Sequence, residues 1–437
     1  MREMKDSGIE WIGDIPWNWE KSRIKYVASF HNGDRGKNYP SGEDMVDNGI
    51  IFLTSNNIHS IEIDGSIELS KYITREKYVS LGGAKVQLND LIYCLRGSVG
   101  NCAINSIFVE GTIASSLVVI RPIKVSARYL NYVMNSPINQ IQTADAMNGT
   151  CAANLAAESV AGYHFILPPY EHQNKIVTFL DSMCEKLETI HTGIKAQQTS
   201  LEQYKQSIIS EAVTKGLNRQ VEMRESGIKW VSHLPAHWTI IPSKYLFRDS
   251  DVRKQAGDVQ LTASQKYGII SQEEYMEREN AKVVLANQGL DDWKHVEPYD
   301  FVISLRSFQG GLEMSETTGC ITWHYVVLKA TKPIYPKFYK WLFKSSMYIT
   351  AIQRTCNFIR DGQDLRYSNF SQVPLYEPPL EEQKEIADYL DKKCAEIDAV
   401  IASKQKQLET LESYKKSLIY EYVTGKKEAP NLDSKNY

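Results

Sequence analysis

Long hydrophobic runs are missing from this sequence. Its 437 residues contain no stretch of about 18 apolar side chains, the length that crosses a bilayer. The polar start, residues 1–6, lacks the apolar core of a signal peptide. The seven cysteines are scattered and odd in number, which does not fit a disulfide framework. We therefore expect a cytoplasmic protein whose reduced thiols pack as small apolar side chains.

An excess of one charge is missing as well. Fifty Lys and Arg residues oppose 53 Asp and Glu residues, which gives a net charge of −3. Free-standing nucleic-acid-binding domains are usually basic. If this chain binds DNA, partner proteins must therefore neutralise many of the phosphates.

Familiar catalytic motifs are also absent. The sequence has neither a Walker A phosphate loop nor a Gly-x-Gly-x-x-Gly dinucleotide loop. Leu-Pro-Pro-Tyr at 167–170 resembles the Asp/Asn-Pro-Pro-Tyr motif of amino-methyltransferases, but Leu167 replaces the residue that accepts a hydrogen bond from the target amine. We interpret the segment as a stiff linker before a helix. We predict no catalytic residue, no metal site and no cofactor in this chain.

What the sequence does contain is an internal repeat. Residues 4–11 recur at 223–230, and Pro-Pro-Tyr-Glu-His-Gln at 168–173 is matched by Pro-Pro-Leu-Glu-Glu-Gln at 378–383. From that motif onward, matching residues stay 210 positions apart until the Val-Thr pairs that follow. The chain therefore consists of two consecutive copies of one repeat.

Each copy begins with a domain that is rich in short strands. Over about 150 residues, β-branched and aromatic runs alternate with Gly, Asn, Asp and Ser, which is typical of a compact α/β domain. The predicted strands cover residues 50–54, 90–95 and 116–121 in the first copy, and 283–286, 301–305 and 325–328 in the second.

Each copy ends in a long helix with a heptad pattern. After each Pro-Pro pair the chain has no proline for over forty residues, and apolar residues recur at alternating steps of four and three. The predicted seam and partner-docking residues are Leu180, Leu187, Ile194, Gln197 and Leu201 in the first helix, and Leu390, Ile397, Gln407 and Leu411 in the second. Because the first helix leads from one domain to the next, the simplest compact arrangement pairs the two helices antiparallel.

The predicted fold class is therefore α/β (α+β), with two similar domains joined by two long antiparallel coiled-coil helices in a pseudo-two-fold repeat. The predicted boundaries are 1–167 for the first domain, 168–218 for the first helix, 219–377 for the second domain, 378–425 for the second helix and 426–437 for a polar tail.

Polar loops after the predicted strands are candidate DNA contacts. An arginine at a strand end can reach a base edge or a phosphate, and amide side chains can pair with adenine. The candidates are Arg35, Lys37, Asn56, Asn57, Arg96 and Ser98 in the first copy, and Ser264, Gln265, Arg306, Ser307, Gln309, Arg360, Gln363 and Arg366 in the second. Taken singly, each residue also fits a solvated or structural role; their occurrence in matching places favours a shared function.

Together these features resemble the specificity subunit of type I restriction–modification enzymes. The matching signatures are residues 90–100 and 300–311, Gly-Gln-Asp-Leu-Arg at 362–366, and the two Pro-Pro helix starts. His172 stands where the family often has Glu. The resemblance covers residues 1–425.

The resemblance implies two target-recognition domains, each of which reads one half of a split DNA site. It also implies that the helices set the spacer and dock two modification subunits, which bind S-adenosylmethionine and methylate adenine. Restriction subunits would add translocation and cleavage that depend on ATP and Mg²⁺, and this chain itself would be non-catalytic. Two alternatives stay open: a coiled-coil adaptor that does not read DNA, and the specificity half of a different DNA methyltransferase or nuclease.

Overall fold

The chain folds into two compact units. A computed structural model describes residues 2–36, 39–147, 154–280, 289–304, 307, 311–355 and 365–430. Unit 1 combines residues 1–194 with 405–437, and unit 2 comprises residues 195–404. Each unit therefore contains one α/β domain and a part of each long helix, so a compact unit is not simply a domain with the helix that follows it.

The first domain is built around an antiparallel four-stranded sheet with the order β4-β11-β8-β9. Strands β8 and β11 are central and carry nearly continuous buried apolar residues. The strands are β1 (Met4–Asp6), β2 (Asp14–Pro16), β3 (Glu20–Arg23), β4 (Ala28–Asn32), β5 (Met45–Val46), β6 (Ile50–Leu53), β7 (Tyr72–Ile73), β8 (Leu91–Cys94), β9 (Cys102–Ile104), β10 (Thr112–Ile113), β11 (Leu117–Pro122) and β12 (His164–Leu167). The helices are α1 (Arg75–Ser80), α2 (Ala127–Met134), α3 (Pro137–Met147) and α4 (Ala157–Ala161), and the chain continues into the long helix α5 (Tyr170–Lys215).

The second domain repeats the order of this sheet. Its strands are β13 (Met223–Ile228), β14 (Val231–Pro235), β15 (Thr239–Ile241), β16 (Phe247–Ser250), β17 (Leu261–Ser264), β18 (Gly268–Ser271), β19 (Lys294–Val296), β20 (Phe301–Ile303), β21 (Glu313–Met314), β22 (Gly319–Ile321), β23 (Val326–Ala330) and β24 (Leu375–Glu377). The helices are α6 (Gln272–Glu279), α7 (Pro336–Lys344), α8 (Ser346–Gln353), α9 (Tyr367–Phe370) and the long helix α10 (Leu380–Val423). The sheet β16-β23-β20-β21 matches β4-β11-β8-β9, and the pair β15-β24 matches β3-β12. The first domain also has a sheet β10-β6-β7-β5, whereas the described residues of the second domain form instead two separate pairs, β17-β18 and β19-β22. The predicted strand 283–286 lies outside the described residues.

The two long helices pair antiparallel, as predicted. In unit 2, Lys205 Nζ of α5 donates to Asp398 of α10 at 2.6 Å. Seven positions earlier on α5, Gln198 donates to the backbone oxygen of Ile401 at 3.4 Å. The partner positions move forward along α10 as they move backward along α5, so the helix directions are opposed. The predicted fold class is confirmed.

Two of the predicted seam residues, both glutamines, do not lie in the seam. The other predicted seam residues are buried or half-buried as expected: Leu180, Leu187, Ile194 and Leu201 on α5, and Leu390, Ile397 and Leu411 on α10. Gln197 and Gln407 are exposed instead, and their neighbours Gln198 and Leu408 face inward. The apolar pattern alone does not identify the packed residues, because Ile190 fits the pattern and yet is 49 % exposed.

Each unit has a core that joins its domain to both long helices. In unit 1, Tyr129 of α2 is buried with Leu180 of α5 and Val423 of α10. In unit 2, Phe338 of α7 is buried with residues from the end of α5 and from the start of α10. The helix ends are therefore part of each domain's hydrophobic core, which fixes the orientation of the domain within its unit.

The five cysteines in the described part of the chain carry free thiols and are all buried. Among the described residues, no helix combines the length and the apolar character that a membrane span requires.

Candidate DNA interface and helix docking face

The Pro-Pro motif fastens each domain to the start of its helix through a buried glutamine. The side-chain oxygen of Gln173 accepts a hydrogen bond from the backbone N–H of Ser126 at 2.8 Å, and its amide donates to the Pro168 carbonyl at 2.9 Å. Gln383 accepts in the same way from the N–H of Tyr335 at 2.8 Å. Both glutamines are at most 2 % exposed. The motif thus joins the end of the domain, the helix start and the strand-to-helix loop before α2 or α7.

The variable position of the motif binds a buried tryptophan. Trp19 Nε1 donates to His172 Nδ1 at 3.1 Å, and Trp238 Nε1 donates to Glu382 at 3.0 Å. His172 therefore supplies the same kind of acceptor as Glu382 does in the second copy. This pairing also explains why the tryptophans recur together with the motif in both copies.

A carboxylate on each long helix holds one helix of its domain, α2 in the first domain and α7 in the second. Asp181 accepts hydrogen bonds from Arg128 Nε at 3.0 Å and from the Tyr132 hydroxyl at 2.5 Å. Asp391 has the same role towards a lysine and a tryptophan of α7. Arg128 also donates to Glu62, and this hydrogen bond holds the pKa of Glu62 below its ordinary value. Sequence reasoning missed these carboxylates, although their spacing of 210 residues was a signal.

A glycine with positive φ follows the end of each long helix, Gly216 at +70° and Gly425 at +73°. A Cβ atom on Gly425 would lie 2.5 Å from the Pro16 ring, and one on Gly216 would lie 2.7 Å from a Glu382 oxygen. The left-handed conformation and the close approach both demand glycine. Each domain is therefore held between the start of one helix and the end of the other.

The first domain brings Arg35 and Arg96 to one open cleft of about 700 Å³. Arg35 follows strand β4, Arg96 follows strand β8, and both side chains are exposed. Asp34 stabilises the first loop by accepting the backbone N–H of Gly83 at 2.7 Å. Two guanidinium forks in one cleft are suited to guanine edges and to phosphates.

Asn56 and Ser98 lie on neighbouring exposed loops of the same domain. The side chain of Asn101 donates to the backbone oxygen of Ile58 at 2.9 Å, which ties the turn that carries Asn56 to the loop that carries Ser98. Both side chains are exposed. The structure thus brings together two segments that the sequence nominated separately.

Two candidate DNA contacts prove to be structural residues. Asn57 is fully buried: its oxygen accepts the N–H of Thr54 at 2.9 Å, and its amide donates to the Asp64 carbonyl at 3.0 Å. Ser307 is 1 % exposed, and its hydroxyl accepts the N–H of Ser304 at 2.8 Å. Because these polar atoms are occupied inside the domain, the prediction that they contact DNA is corrected.

In the second domain, Arg366 is exposed and lines a cleft of about 440 Å³ together with Asp249, Lys294 and Trp323. Oδ1 of Asp249 is buried and receives no hydrogen bond from the described residues, since Lys294 Nζ is 3.7 Å away. Burial raises the pKa of the Asp249 carboxyl. Sequence reasoning missed Asp249 and Trp323, which lie far from Arg366 along the chain and meet only in the fold.

Two further candidates of the second domain, Ser264 and Gln265, do not line this cleft. The Ser264 hydroxyl accepts the backbone N–H groups of Lys266 and Tyr267 at 3.3 Å each, which stabilises the turn between β17 and β18. Gln265 is exposed and lines a different groove of about 990 Å³. Five candidates lie outside the described residues: Lys37, Arg306, Gln309, Arg360 and Gln363.

Each unit also carries an exposed apolar pair on its helices. In unit 1 the pair is Ile190 of α5 and Tyr414 of α10, which are 49 % and 48 % exposed. In unit 2 it is Tyr204 of α5 and Val400 of α10, at 58 % and 45 %. The pairs occupy equivalent positions of the repeat, so the same surface occurs once in each unit.

Comparison with known proteins supports the resemblance drawn from the motifs. Residues 16–198 match the family model described as the type I restriction modification DNA specificity domain. The chain is 23 % identical over 440 residues to a curated protein of Methanocaldococcus jannaschii, named as the specificity subunit of the type I restriction enzyme MjaX, and the match covers 95 % of each. A solved chain, described as part of a study of assembly and conformational transition in the type I R-M system, has the same fold: the TM-score is 0.68 at 16 % identity, covering 94 % of this chain and 99 % of that one.

Proposed function

This chain is a DNA specificity subunit of the type I restriction–modification kind, and we propose that each of its two α/β domains, here called recognition domains, reads one half of a bipartite, asymmetric DNA site. The observation that carries the proposal is one sheet topology with two different sets of cleft residues. Arg35 and Arg96 line the cleft of the first domain, whereas Asp249, Trp323 and Arg366 line that of the second. Equivalent scaffolds with different side chains favour two unlike half-sites.

The arginines are the residues on which direct reading of bases depends in this proposal. A guanidinium pairs bidentately with the major-groove edge of guanine, and at a phosphate it supplies one charge. The net charge of −3 indicates that other proteins provide much of the phosphate neutralisation. Strong specific binding is therefore expected of the assembled complex and not of the isolated chain.

The partners of such a subunit are DNA and the other subunits of its restriction–modification system. We infer that two modification subunits bind each chain, one to each exposed apolar pair on the helices. The pairs Ile190–Tyr414 and Val400–Tyr204 occupy equivalent positions of the repeat, so one partner surface can bind both. Restriction subunits would join through the modification subunits.

We assign the chemistry of the complex to those partners. The modification subunits would hold S-adenosylmethionine and transfer its methyl group to adenine, and the restriction subunits would use ATP and Mg²⁺. The role of this chain is then to bind the DNA and to position it, without a catalytic group of its own.

We further propose that the long helices set the unspecified spacer between the half-sites. Helices α5 and α10 contribute to both units and pair antiparallel, and a rigid helix pair has a length fixed by its residue count.

Sequencing methylated adenines in a strain that expresses the chain with its modification subunit tests the function. We expect a bipartite motif, methylated on both strands, that disappears when the gene for this chain is deleted. Exchanging residues 29–160 for those of a relative should change only one half of the motif. This exchange keeps Trp19 and the Pro-Pro motif, and the relative must supply the equivalents of Ser126, Arg128 and Tyr132, which also fasten the domain to the helices.

Two results would contradict the proposal. Methylation that persists without this chain would show that it does not direct modification. A complex that assembles but binds random and chromosomal DNA equally would favour a coiled-coil adaptor that does not read sequence.

A further inference from the structure

The cleft of the second recognition domain holds an exposed tryptophan. Trp323 lies in the turn before strand β23, is 54 % exposed, and stacks on the ring of His324 with centroids 3.5 Å apart. Arg366, at the start of α9, lines the same cleft. An indole that is held by a neighbouring ring beside a cation is arranged for contact with a flat, negatively charged partner.

The first domain has no such aromatic residue at the matching position. The sheets pair Leu91 with Ile120 and Phe301 with Leu328, so these positions are equivalent, and Ser115 and Trp323 each stand five residues before them. Ser115 is half-buried and its side chain is small. The tryptophan is therefore not needed to build this fold. It is a feature of the second domain alone, at the cleft where the two domains differ.

We propose that Trp323 contacts DNA in the second half-site, with its indole face against the apolar surface of a base, and that His324 is the positioning residue behind it. The inference rests on the proposed function, because it assigns the ligand of a recognition domain. Aromatic side chains bind bases by stacking or by wedging against a base step, and both contacts bury apolar surface that is otherwise in water. Arg366 beside it supplies a positive charge for the flanking backbone or for a base edge.

The contact between Trp323 and the base should contribute strongly to the affinity for specific DNA. Loss of an aromatic side chain that stacks on a base weakens binding by about 5- to 150-fold. Trp323→Phe keeps a ring in the same place and should lose much less, whereas His324→Ala removes the support and should give an intermediate loss. A purely structural tryptophan would show no such order.

The test measures the affinity of the full chain, in complex with its modification subunits, for specific and for random DNA duplexes. We expect Trp323→Ala to weaken specific binding by about 5- to 150-fold and to relax only the second half of the methylated motif. The matched control is Trp17→Ala, because Trp17 is 60 % exposed in unit 1 and does not line this cleft. That variant should bind like the wild type.

A second measurement covers the case in which Trp323→Ala does not assemble. Duplexes that carry 5-iodouracil at single positions of the second half-site are irradiated with the wild-type complex, and the cross-linked peptide is identified. Cross-links at Trp323 support the proposal, whereas cross-links confined to other parts of the chain overturn it. Unchanged specific binding by Trp323→Ala, or weaker binding of modification subunits with unchanged DNA affinity, overturns it as well.

These outcomes differ from a failure of the proposed function. If the wild-type complex recognises no motif at all, the function itself is wrong and the inference falls with it. If the wild type reads a bipartite motif and Trp323→Ala reads the same motif equally well, only the role of Trp323 is overturned.

Discussion

At Asn57, four hydrogen bonds depend on one buried side chain, which links the turn at Thr54 to the backbone of residues 64 and 69. Asn57→Ala would leave buried backbone groups without partners, so we expect the free energy of unfolding to fall by about 1–3 kcal/mol. Urea unfolding measures this. Its exposed neighbour is the control, since Asn56→Ala should change stability by less than about 0.5 kcal/mol. An altered DNA motif with unchanged stability would show that Asn57 reads bases after all.

Arg96 should behave in the opposite way. Its side chain is exposed in the cleft of the first domain, so Arg96→Ala should leave the free energy of unfolding unchanged. If Arg96 reads a guanine, specific DNA binding by the complex should weaken by about 1–3 kcal/mol. Titration of specific and random duplexes checks the assignment. Equal losses on both would identify Arg96 as a phosphate contact.

The half-buried carboxyl of Asp249 makes stability depend on pH. Burial raises its pKa above the ordinary value of 3.8, so the native state holds this proton more tightly than the unfolded state does. Stability is therefore lost as the pH rises from below about 3.8 through the raised native pKa, and the loss persists at neutral pH. Asp249→Asn removes this titration, so the variant should gain on the wild type across that window. Urea unfolding between about pH 4 and 7 compares them; a difference that does not vary with pH would contradict the prediction.

At the scale of elements, the heptad pattern sufficed to predict both long helices, and the order of domains and helices along the chain predicted their antiparallel pairing. It could not settle which residues face inward. Tyr204 fits the apolar pattern but is 58 % exposed, whereas Lys205 faces inward and pairs with Asp398. A helix that packs within the chain and also binds another protein needs apolar residues on both surfaces, and hydrophobicity alone does not distinguish the two.

Truncating the exposed tyrosines tests that interpretation. Tyr204→Ser combined with Tyr414→Ser should weaken the binding of modification subunits at least tenfold, because each exposed apolar pair loses its aromatic ring. The free energy of unfolding of the chain alone should change little, since both rings are about half exposed. Leu180→Ala is the reverse control: this residue is fully buried, and its truncation should cost about 2–5 kcal/mol of stability. Unchanged copurification of modification subunits with the double variant would rule out these patches as docking sites.

At the scale of the whole molecule, the tandem repeat was predictable because matching segments recur in order along the sequence. The residues that line each cleft could not be predicted from the sequence. Residues 249, 323 and 366 meet in one cleft only because the sheet places β16, the turn before β23 and the start of α9 side by side. Strands of two residues, such as β5, β7 and β10, also carry no periodic signal, and tertiary pairing alone defines them.

The proposed role of the helices in setting the spacer has a quantitative consequence. Inserting one heptad after Gln197 and another after Gln407 keeps the packed face of each helix towards its partner. Seven residues lengthen an α-helix by about 10 Å, which corresponds to about three base pairs at 3.4 Å each. We expect the methylated motif to keep its specified bases and to widen its gap by about that number. Inserting only two residues at each place turns the packed face away and should prevent assembly.

Methylation of the original motif at full rate by the double heptad variant would show that something other than the helices sets the gap. A motif with altered bases would instead indicate that the recognition domains themselves were disturbed.

Unit 1 is completed by residues of α10, which the ribosome makes long after the first recognition domain. The Tyr129 hydroxyl donates to the carbonyl of Val423 at 2.9 Å, and Tyr420 donates to the carbonyl of Trp11 at 2.7 Å. At roughly 5–20 residues per second, the first recognition domain emerges roughly 10–50 seconds before α10 is complete. The first recognition domain thus obtains its full core only after the second has been synthesised. A ribosome that stops prematurely within α10 would release a chain whose defect lies in the reading of the first half-site, although the missing residues are the most distant from that domain in sequence.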